Sequence, residues 1–211
     1  MNRLTQIEAV RHKAATCCDC QLAETRKRVV FGSGNPQAKL TIVAEGPSAM
    51  DDQTGQPFTG PAGDLLDQVL AENGLRRQDI WLTNILKCRA AAWAGKRLKN
   101  RPPKSAEIKA CAKWLAEELA LISPTVILCM GSPSAKAVIR TDFRLSQERG
   151  IWFTNNDRAP FVAATYNPAF ILRMDGLGQS FAEGRQTLIN DIAAAKQKLT
   201  QSPVVSQLTL F

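Results

Sequence analysis

The sequence predicts an α/β fold, namely a three-layer α/β/α sandwich around a four-stranded, mostly parallel sheet. Short apolar runs rich in β-branched residues are typical of buried strands, and amphipathic helical segments alternate with them along the chain. Strands and helices that alternate at this spacing form parallel sheets covered on both faces. Polar segments follow the strands, and ligands of such sheets bind beyond the carboxyl ends of the strands. We therefore expect distant segments to meet in one pocket at that edge.

The predicted elements follow one another in a regular order. The strands are predicted at residues 39–44, 80–83, 125–130 and 161–166, with a further edge strand at residues 151–153. The helices are predicted at residues 64–75, 105–122, 134–139 and 179–199. The segment between the first strand and the first helix is rich in glycine and polar residues, which indicates a long loop over residues 45–58.

Length and charge limit the class of protein. The 211 residues fit one domain with a short tail, and we place the domain at residues 1–199 and the tail at residues 200–211. The composition of residues 200–206 is typical of a flexible linker. A formal net charge of +8 at pH 7 favours polyanionic partners such as nucleic acid. Because the chain has no apolar run of about 18 residues and no secretory signal, we expect a cytoplasmic protein without membrane contact. We also expect a monomer.

The cysteines predict a metal site. Cys17 and Cys20 have the spacing of a metal-ligand pair, which needs two further ligands. His12 is the only histidine, so the remaining ligands have to be thiolates. Cys88, after the second strand, and Cys111, in the following helix, are the natural completions. An all-cysteine site of this kind suits zinc or an iron–sulfur cluster, and the spacing does not choose between them.

The loop after the first strand carries the residue types of a catalytic site. It holds the carboxylates Glu45, Asp51 and Asp52 and the aromatic ring of Phe58 at the ligand edge of the sheet. Phe58 is suited either to the hydrophobic core or to stacking on a planar ligand. Asn84 ends the second strand, and its amide offers both a donor and an acceptor that can read the edge of a nucleobase.

Residues 87–104 form the most basic segment of the chain. They contain seven lysines and arginines, with Trp93 among them. Positive charge interleaved with an aromatic side chain, next to a predicted pocket, favours a loop that tracks nucleic-acid phosphates.

Five motifs in order resemble the uracil-DNA glycosylase superfamily, most closely its family 4, the iron–sulfur enzymes. The resemblance spans roughly residues 17–199. The motifs are CxxCxL with RKRVVFGSGNPQAKL, AEGPSAMDDQTGQPFTGPAGDLL, LTNILKCR with a later cysteine, PTVILCMGSPSA, and TYNPAFILR. The fold of the family, a four-stranded parallel sheet between helices, agrees with the fold that the residue pattern predicts.

The resemblance also implies roles for individual residues. The implied ligands of a structural [4Fe–4S] cluster are Cys17, Cys20, Cys88 and Cys111. The implied catalytic residues are Asp51, Glu45 and Asn167. The implied base-binding residues are Phe58, Asn84, Gly46 and Ser48. The implied DNA-contacting residues are Ser132 and, in the segment that inserts toward the DNA groove, Ile171, Leu172 and Arg173.

The implied reaction is hydrolysis of the N-glycosidic bond of uracil or a related pyrimidine, flipped out of DNA, which leaves an abasic site. The chain departs from the family pattern in three places: Asn167 replaces the histidine of a His-Pro-Ala triplet, Ser48 replaces a glycine, and the segment between Cys88 and Pro102 is longer. Three alternatives therefore stay open. They are a glycosylase for a modified cytosine in phage DNA that acts in antiviral defence, an inactive DNA-binding relative, and a redox-sensing iron–sulfur protein.

The last five residues form a separate motif. The sequence QLTLF resembles the peptide by which bacterial DNA-processing proteins bind the sliding clamp. The implied clamp-binding residues are Gln207, Leu208, Leu210 and Phe211. An extended peptide of this kind buries its apolar side chains in a cleft while a polar side chain fixes the register.

Overall fold

The structure is a computed structural model that describes residues 2–154 and 156–201. Its strands are β1 (Ser33–Gly34), β2 (Leu40–Ala44), β3 (Trp81–Asn84), β4 (Ala91–Ala94), β5 (Arg97–Asn100), β6 (Val126–Met130) and β7 (Phe161–Thr165). Its α-helices are α1 (Arg3–Ala15), α2 (Ala49–Thr54), α3 (Pro61–Glu72), α4 (Ser105–Ile122), α5 (Ser132–Val138), α6 (Leu145–Glu148), α7 (Pro168–Ile171) and α8 (Phe181–Lys198). Among these described helices, none has the length and hydropathy needed to cross a bilayer.

The central sheet has the strand order β1-β3-β2-β6-β7. The strands β3, β2, β6 and β7 pair in parallel, and they are the four strands that the sequence predicts. The sheet has five strands instead of four because β1 adds an antiparallel edge beside β3. This strand consists of Ser33 and Gly34 alone, and it is too short to produce an apolar alternation in the sequence.

The side chains of the parallel strands alternate between two cores on opposite faces of the sheet. Ile42 and Leu128 belong to the core that includes residues of α3 and α8. Val43 and Cys129 belong to the core that includes residues of α1, α4 and α5. This alternation follows from the two-residue period of a strand, and it confirms the three-layer α/β/α sandwich.

Further elements besides β1 differ from the sequence prediction, and the short helices α6 and α7 are among those it does not contain. The helix α1 was not predicted because its buried stripe is only Ile7, Val10 and Ala14 on an otherwise polar helix. The loop over residues 45–58 contains the short helix α2, which a capping box starts. The predicted edge strand at residues 151–153 is a single bridge between Phe153 and Val162.

The basic segment also differs from the prediction, since it forms a β-hairpin instead of a loop. The strands β4 and β5 make their own two-stranded antiparallel sheet. Ala94 pairs with Arg97 across a two-residue turn, in which Gly95 adopts φ +61°. Glycine suits such tight hairpin turns because it has no Cβ to clash at positive φ.

Candidate active site

Two cavities lie at the edge of the sheet where the parallel strands end. The inner cavity, with a volume of about 360 Å³, is lined by Asp51, Phe58, Asn84 and Asn167 among others. The outer cavity has a volume of about 630 Å³. Both cavities are lined by Gly46, Ser48, Asn100, Asn167 and Ala169, so they adjoin each other. The structure thus brings together, at one place, polar residues from four separate segments of the chain.

Asp51 is held in one orientation by the start of α2. Its Oδ2 atom accepts a hydrogen bond from Ser48 N at 2.8 Å, and its Oδ1 atom accepts from Thr59 N and Thr59 Oγ1, both at 2.7 Å. The side chain of Ser48 in turn accepts from Asp51 N at 3.1 Å. Asp51 is only 5% exposed. The carboxylate is therefore fixed on the wall of the inner cavity, with lone-pair capacity left beyond these three bonds.

Phe58 has an unusual backbone conformation for a residue with a side chain. Its φ of +58° lies in the left-handed region, which residues other than glycine rarely adopt. Arg77 holds this backbone, since its Nη2 atom donates to Phe58 O at 2.5 Å and its Nη1 atom to Pro57 O at 3.2 Å. Gly63 permits the close approach, because a Cβ at this position would lie 1.8 Å from Phe58 O. Strain of this kind concentrates at functional sites.

Asn84 ends β3 beside the inner cavity. It is buried, and within the described residues its side-chain amide makes no hydrogen bond, so the amide is available to a ligand. Its backbone oxygen accepts from Lys87 Nζ at 2.9 Å. Lys87 is itself buried, at 1% exposure, so the prediction that it belongs to a phosphate-tracking loop is wrong. An ion pair with Glu118 makes this burial tolerable for the lysine.

Glu45 lines the outer cavity directly after β2, together with Arg173. The side chain is half-buried. Desolvation raises the pKa of Glu45, while the positive charge of Arg173 acts in the opposite direction. A carboxylate with a raised pKa inside a cleft is typical of functional sites.

Asn167 lies between the two cavities at the start of α7. Its Oδ1 atom caps the helix by accepting from Ala169 N at 2.8 Å, and its Nδ2 atom is 3.5 Å from Met130 O. The amide NH₂ group has two hydrogens, so it keeps the capacity to donate to a ligand. The neighbouring Gly131 has φ +93°, a backbone conformation that residues with a side chain rarely adopt.

Of the four residues predicted to contact DNA, the structure places three at the outer cavity or on the surface and buries one. Ser132 and Arg173 line the outer cavity. Leu172, which precedes Arg173 in the chain, is 44% exposed, and an inserting residue has to be exposed. Ile171 is 0% exposed and belongs to the core formed with α3 and α8, so its predicted insertion toward the DNA groove is wrong. Its apolar side chain packs into this core and stabilises α7 instead of projecting into solvent.

The four predicted cluster ligands line a third, small cavity on the other side of Lys87. They are Cys17, Cys20, Cys88 and Cys111. Within the described residues, no three His, Cys, Asp or Glu side chains are arranged to hold a single metal ion. Two donors already point at sulfur: Lys87 N donates to Cys111 Sγ at 3.2 Å, and Arg26 Nη1 donates to Cys88 Sγ at 3.5 Å. Trp114, which also lines this cavity, has a buried Nε1 atom without a partner among the described residues.

Burial governs the protonation of these thiols. Desolvation raises the pKa of Cys88 to about 12 and also raises the pKa of Cys111. Metal binding therefore has to displace their protons, and the N–H donors are placed to stabilise the resulting thiolates. The other two cysteines are outside this cavity: Cys18 is exposed, and Cys129 is buried in β6.

Sequence reasoning missed two contributors to the site. Asn100 ends the β4–β5 hairpin and lines both cavities, but nothing in the basic segment singles it out from its neighbours. Arg77 holds the backbone of Phe58 from a turn that precedes β3. No local pattern indicates this role, because the contact joins residues 19 positions apart in the chain.

Comparison with known proteins places this site in a family. The family model described as "Uracil DNA glycosylase superfamily" matches residues 31–193. The chain is 31% identical over 194 residues to a "Type-4 uracil-DNA glycosylase" of Thermotoga maritima, with 90% of this chain and 93% of the relative covered. It is 34% identical over 177 residues to a "Type-4 uracil-DNA glycosylase" of Pyrobaculum aerophilum, with 81% and 87% covered. A "Type-5 uracil-DNA glycosylase" of Thermus thermophilus is 31% identical over 127 residues, with 53% and 54% covered.

The parallel sheet, the polar cavity at its edge and these relatives define the class of the protein as an enzyme, a DNA glycosylase. The chain belongs to the uracil DNA glycosylase superfamily, as its motifs predict. The individual roles of the residues in the cavities stay predictions.

Proposed function

We propose that the chain hydrolyses the N-glycosidic bond of uracil, or of a closely related pyrimidine, that is flipped out of DNA. The observation that carries this proposal is the inner cavity, which gathers a carboxylate, an aromatic ring and two amides from Asp51, Phe58, Asn84 and Asn167. The type-4 relatives, whose names state the activity on uracil, support the same substrate.

The first step is recognition of the extruded base. Unstacking a base costs a few kcal/mol, which stacking and edge hydrogen bonds in the pocket partly recover. Phe58 supplies the ring, and its rigid backbone keeps that ring in place. The unpaired amide of Asn84 supplies a donor and an acceptor for the Watson–Crick edge.

The second step is cleavage of the glycosidic bond. The sugar becomes oxocarbenium-like and the base leaves as an anion. Asp51 stabilises the positive sugar or orients the attacking water with its remaining lone-pair capacity. Asn167 donates from Nδ2 to the base oxygen that gains negative charge, since its Oδ1 is occupied by the helix cap. Glu45 adds a second negative charge at the adjoining outer cavity.

We also propose that Cys17, Cys20, Cys88 and Cys111 hold a [4Fe–4S] cluster. Such a cluster has four irons that bind separate thiolates, so the thiolates do not need to converge on one point. The shared cavity, the two N–H donors to sulfur and the unpaired Trp114 Nε1 atom support this assignment. The role of the group would be structural, because it would tie the N-terminal segment to α4 and to the segment after Asn84. Hydrolysis of the N-glycosidic bond requires no electron transfer.

A second candidate substrate is a pyrimidine with a polar substituent, such as a modified cytosine of phage DNA. The observation that favours it is the shared lining of the two cavities, which leaves room for a substituent to extend from the inner cavity into the outer one. Glu45 and Arg173 would then be within the space that the substituent occupies.

The proposed clamp-binding peptide is Gln207, Leu208, Leu210 and Phe211, which lie outside the described residues. We propose that it recruits the enzyme to a bacterial sliding clamp. Deletion of residues 207–211 is expected to abolish clamp binding in a pull-down with purified clamp and to leave base release from short oligonucleotides unchanged. Clamp binding by the truncated chain would refute this part of the proposal.

The glycosylase proposal is tested with short oligonucleotides that carry one uracil, thymine, 5-hydroxymethylcytosine or glucosylated 5-hydroxymethylcytosine. Alkali cleaves each abasic site, so strand breaks report base release. Breaks with uracil alone support the first candidate, and breaks with a modified cytosine alone support the second. DNA binding without breaks on any substrate would identify an inactive relative and overturn both.

A further inference from the structure

The β4–β5 hairpin rises from the rim of the two cavities. Its last residue, Asn100, lines both of them, and Arg89 Nε donates to Asn100 Oδ1 at 2.6 Å. The adjoining Arg101 binds both carboxylate oxygens of the buried Glu107, at 2.5 and 2.8 Å, which anchors the base of the hairpin on α4. The hairpin therefore has a fixed position next to the site, although it does not join the central sheet.

One face of this hairpin is apolar and points the same way as Asn100. Ala91 pairs with Asn100 and Trp93 with Leu98, and residues two apart on a strand share a face. Trp93 and Leu98 thus continue the face that holds Ala91 and Asn100, and Asn100 lines both cavities. Trp93 is 67% exposed, the largest exposure among the exposed large apolar residues of the described chain. A solvent-exposed tryptophan beside a binding cavity indicates a contact surface.

Cationic side chains on the same hairpin indicate the kind of partner. Lys96 lies in the turn, and Arg97 and Lys99, which pair with Ala94 and Ala92, lie on the opposite face from Trp93. All three are exposed, and none of them forms an ion pair within the described residues. Residues 88–106 contain no aspartate or glutamate. Flexible cations on the same narrow element as an exposed aromatic ring are the combination with which proteins bind single-stranded nucleic acid, since phosphates meet the cations and a base stacks on the ring.

We propose that Trp93 stacks on an unpaired nucleobase that neighbours the extruded one, while Lys96, Arg97 and Lys99 contact the phosphates of the same strand. This inference rests on the proposed function for the identity of the strand. Extrusion of one base exposes the faces of its neighbours, and Trp93 shares a hairpin face with Asn100, which lines both cavities. The hairpin would thus be a second binding subsite of the enzyme for the nucleotide beside the target.

The stacking role is tested by binding a fluorescein-labelled oligothymidylate of 12 nucleotides, which has no uracil to release. Trp93→Leu keeps an apolar partner for Leu98 but removes the flat ring, whereas Trp93→Phe keeps a ring. Anisotropy titrations are expected to show an affinity loss of roughly tenfold for Trp93→Leu and less than threefold for Trp93→Phe. Leu4→Ala is the matched control at a distant exposed site, with no expected change. Equal affinity of Trp93→Leu and the unaltered chain would overturn the proposal.

The phosphate contacts are tested by their salt dependence. The triple variant Lys96→Gln/Arg97→Gln/Lys99→Gln is compared with Lys13→Gln/Lys39→Gln/Lys109→Gln, which removes the same charge from other exposed positions. For single strands, the slope of log K against log salt falls by about 0.7 for each lost phosphate contact, so the hairpin variant is expected to lose about 2. Equal slopes for the two variants would contradict the assignment.

A kinetic and spectroscopic measurement separates this inference from the proposed function. With 2-aminopurine next to the target uracil, stacking on Trp93 is expected to change its fluorescence on binding, and Trp93→Leu is expected to lose that change. Base release by Trp93→Leu should show a raised KM with a nearly unchanged kcat. A Trp93-dependent signal without any base release would support the hairpin and refute the glycosylase. If Trp93→Leu released the base with an unchanged KM and no Trp93-dependent change of 2-aminopurine fluorescence were seen, the role of the hairpin would be refuted and the glycosylase proposal would stand.

Discussion

Lys87 and Glu118 form a fully buried ion pair, with 2.5 Å between Lys87 Nζ and Glu118 Oε2. Lys87 Nζ also donates to Asn84 O at 2.9 Å, and Lys87 N donates to Cys111 Sγ at 3.2 Å. Glu118 accepts from Trp81 Nε1 at 3.0 Å as well. This pair therefore joins the strand end that carries Asn84 to the cavity of the cysteines.

Removal of one partner of this pair is expected to destabilise the protein. Lys87→Met leaves the Glu118 carboxylate buried without its counter-charge, and we expect the free energy of unfolding to fall by about 3–5 kcal/mol. Urea denaturation measures this loss. The exposed pair of Lys113 with Asp19 is the control, and Lys113→Met should lower the free energy of unfolding far less, because solvent screens this pair. Equal losses of unfolding free energy in Lys87→Met and Lys113→Met would show that the buried pair does not stabilise this region.

Asp51→Asn is expected to reduce base release by about 10²- to 10⁴-fold, because the amide cannot supply the negative charge that stabilises the sugar or activates water. Its size is unchanged, so circular dichroism should show the native fold. Asp64→Asn, in the first turn of α3 and outside both cavities, is the matched control and should retain full activity. Full activity of Asp51→Asn would exclude this carboxylate from catalysis.

Glu45 is predicted to lower the stability of the protein at neutral pH. Burial raises its folded-state pKa above the unfolded value, so its favourable contribution is present below the unfolded pKa of 4.5 and is lost as pH rises through the folded pKa. Glu45→Gln is therefore expected to raise the melting temperature at pH 7, with a smaller difference at pH 4. Differential scanning fluorimetry at both pH values measures this. A stabilisation that is the same at both pH values would show that the charge of Glu45 is not its cause.

The cysteine assignment predicts a selective loss of iron. Cys88→Ser and Cys111→Ser are expected to lose most of the bound iron and the broad absorbance near the violet, because each removes one of four thiolate ligands. Cys18→Ser is the control, since Cys18 is exposed and outside the cavity. Iron analysis and absorbance spectra decide the outcome. A colourless protein that contains zinc would refute the [4Fe–4S] assignment.

The sequence predicts the parallel strands and the gathering of polar residues at their carboxyl ends because both depend on local patterns. The strand over Leu40–Ala44 is an unbroken apolar run, and the loop after it carries its carboxylates in a short stretch. The placement of Lys87 and Ile171 fails for the opposite reason. Each residue lies in a segment that the sequence places at the surface. Lys87 is buried by its pairing with Glu118, and Ile171 by its packing in the core that includes α3; both contacts form only in the tertiary structure.

The sequence does not predict the β4–β5 hairpin or the contact by which Arg77 holds the backbone of Phe58, for a related reason. The strands β4 and β5 have no apolar alternation, because much of their surface is solvated. Arg77 is an unremarkable basic residue until the fold brings its guanidinium to the carbonyl of Phe58. Long-range contacts of this kind leave no periodic signal.

Asn167 caps α7, and we predict that it also takes part in catalysis. A second asparagine that caps a helix separates the two roles. Asn167→Ala removes the cap of α7 and the Nδ2 donor, so we expect about 1 kcal/mol less stability and a 10²- to 10³-fold slower base release. Asn2 caps α1 in the same way, by accepting from Thr5 N at 2.9 Å, and lies far from both cavities. Asn2→Ala should cost a similar stability and leave base release unchanged. If both variants lost activity equally, slower base release by Asn167→Ala would reflect lost stability, and the amide of Asn167 would have no part in the chemistry.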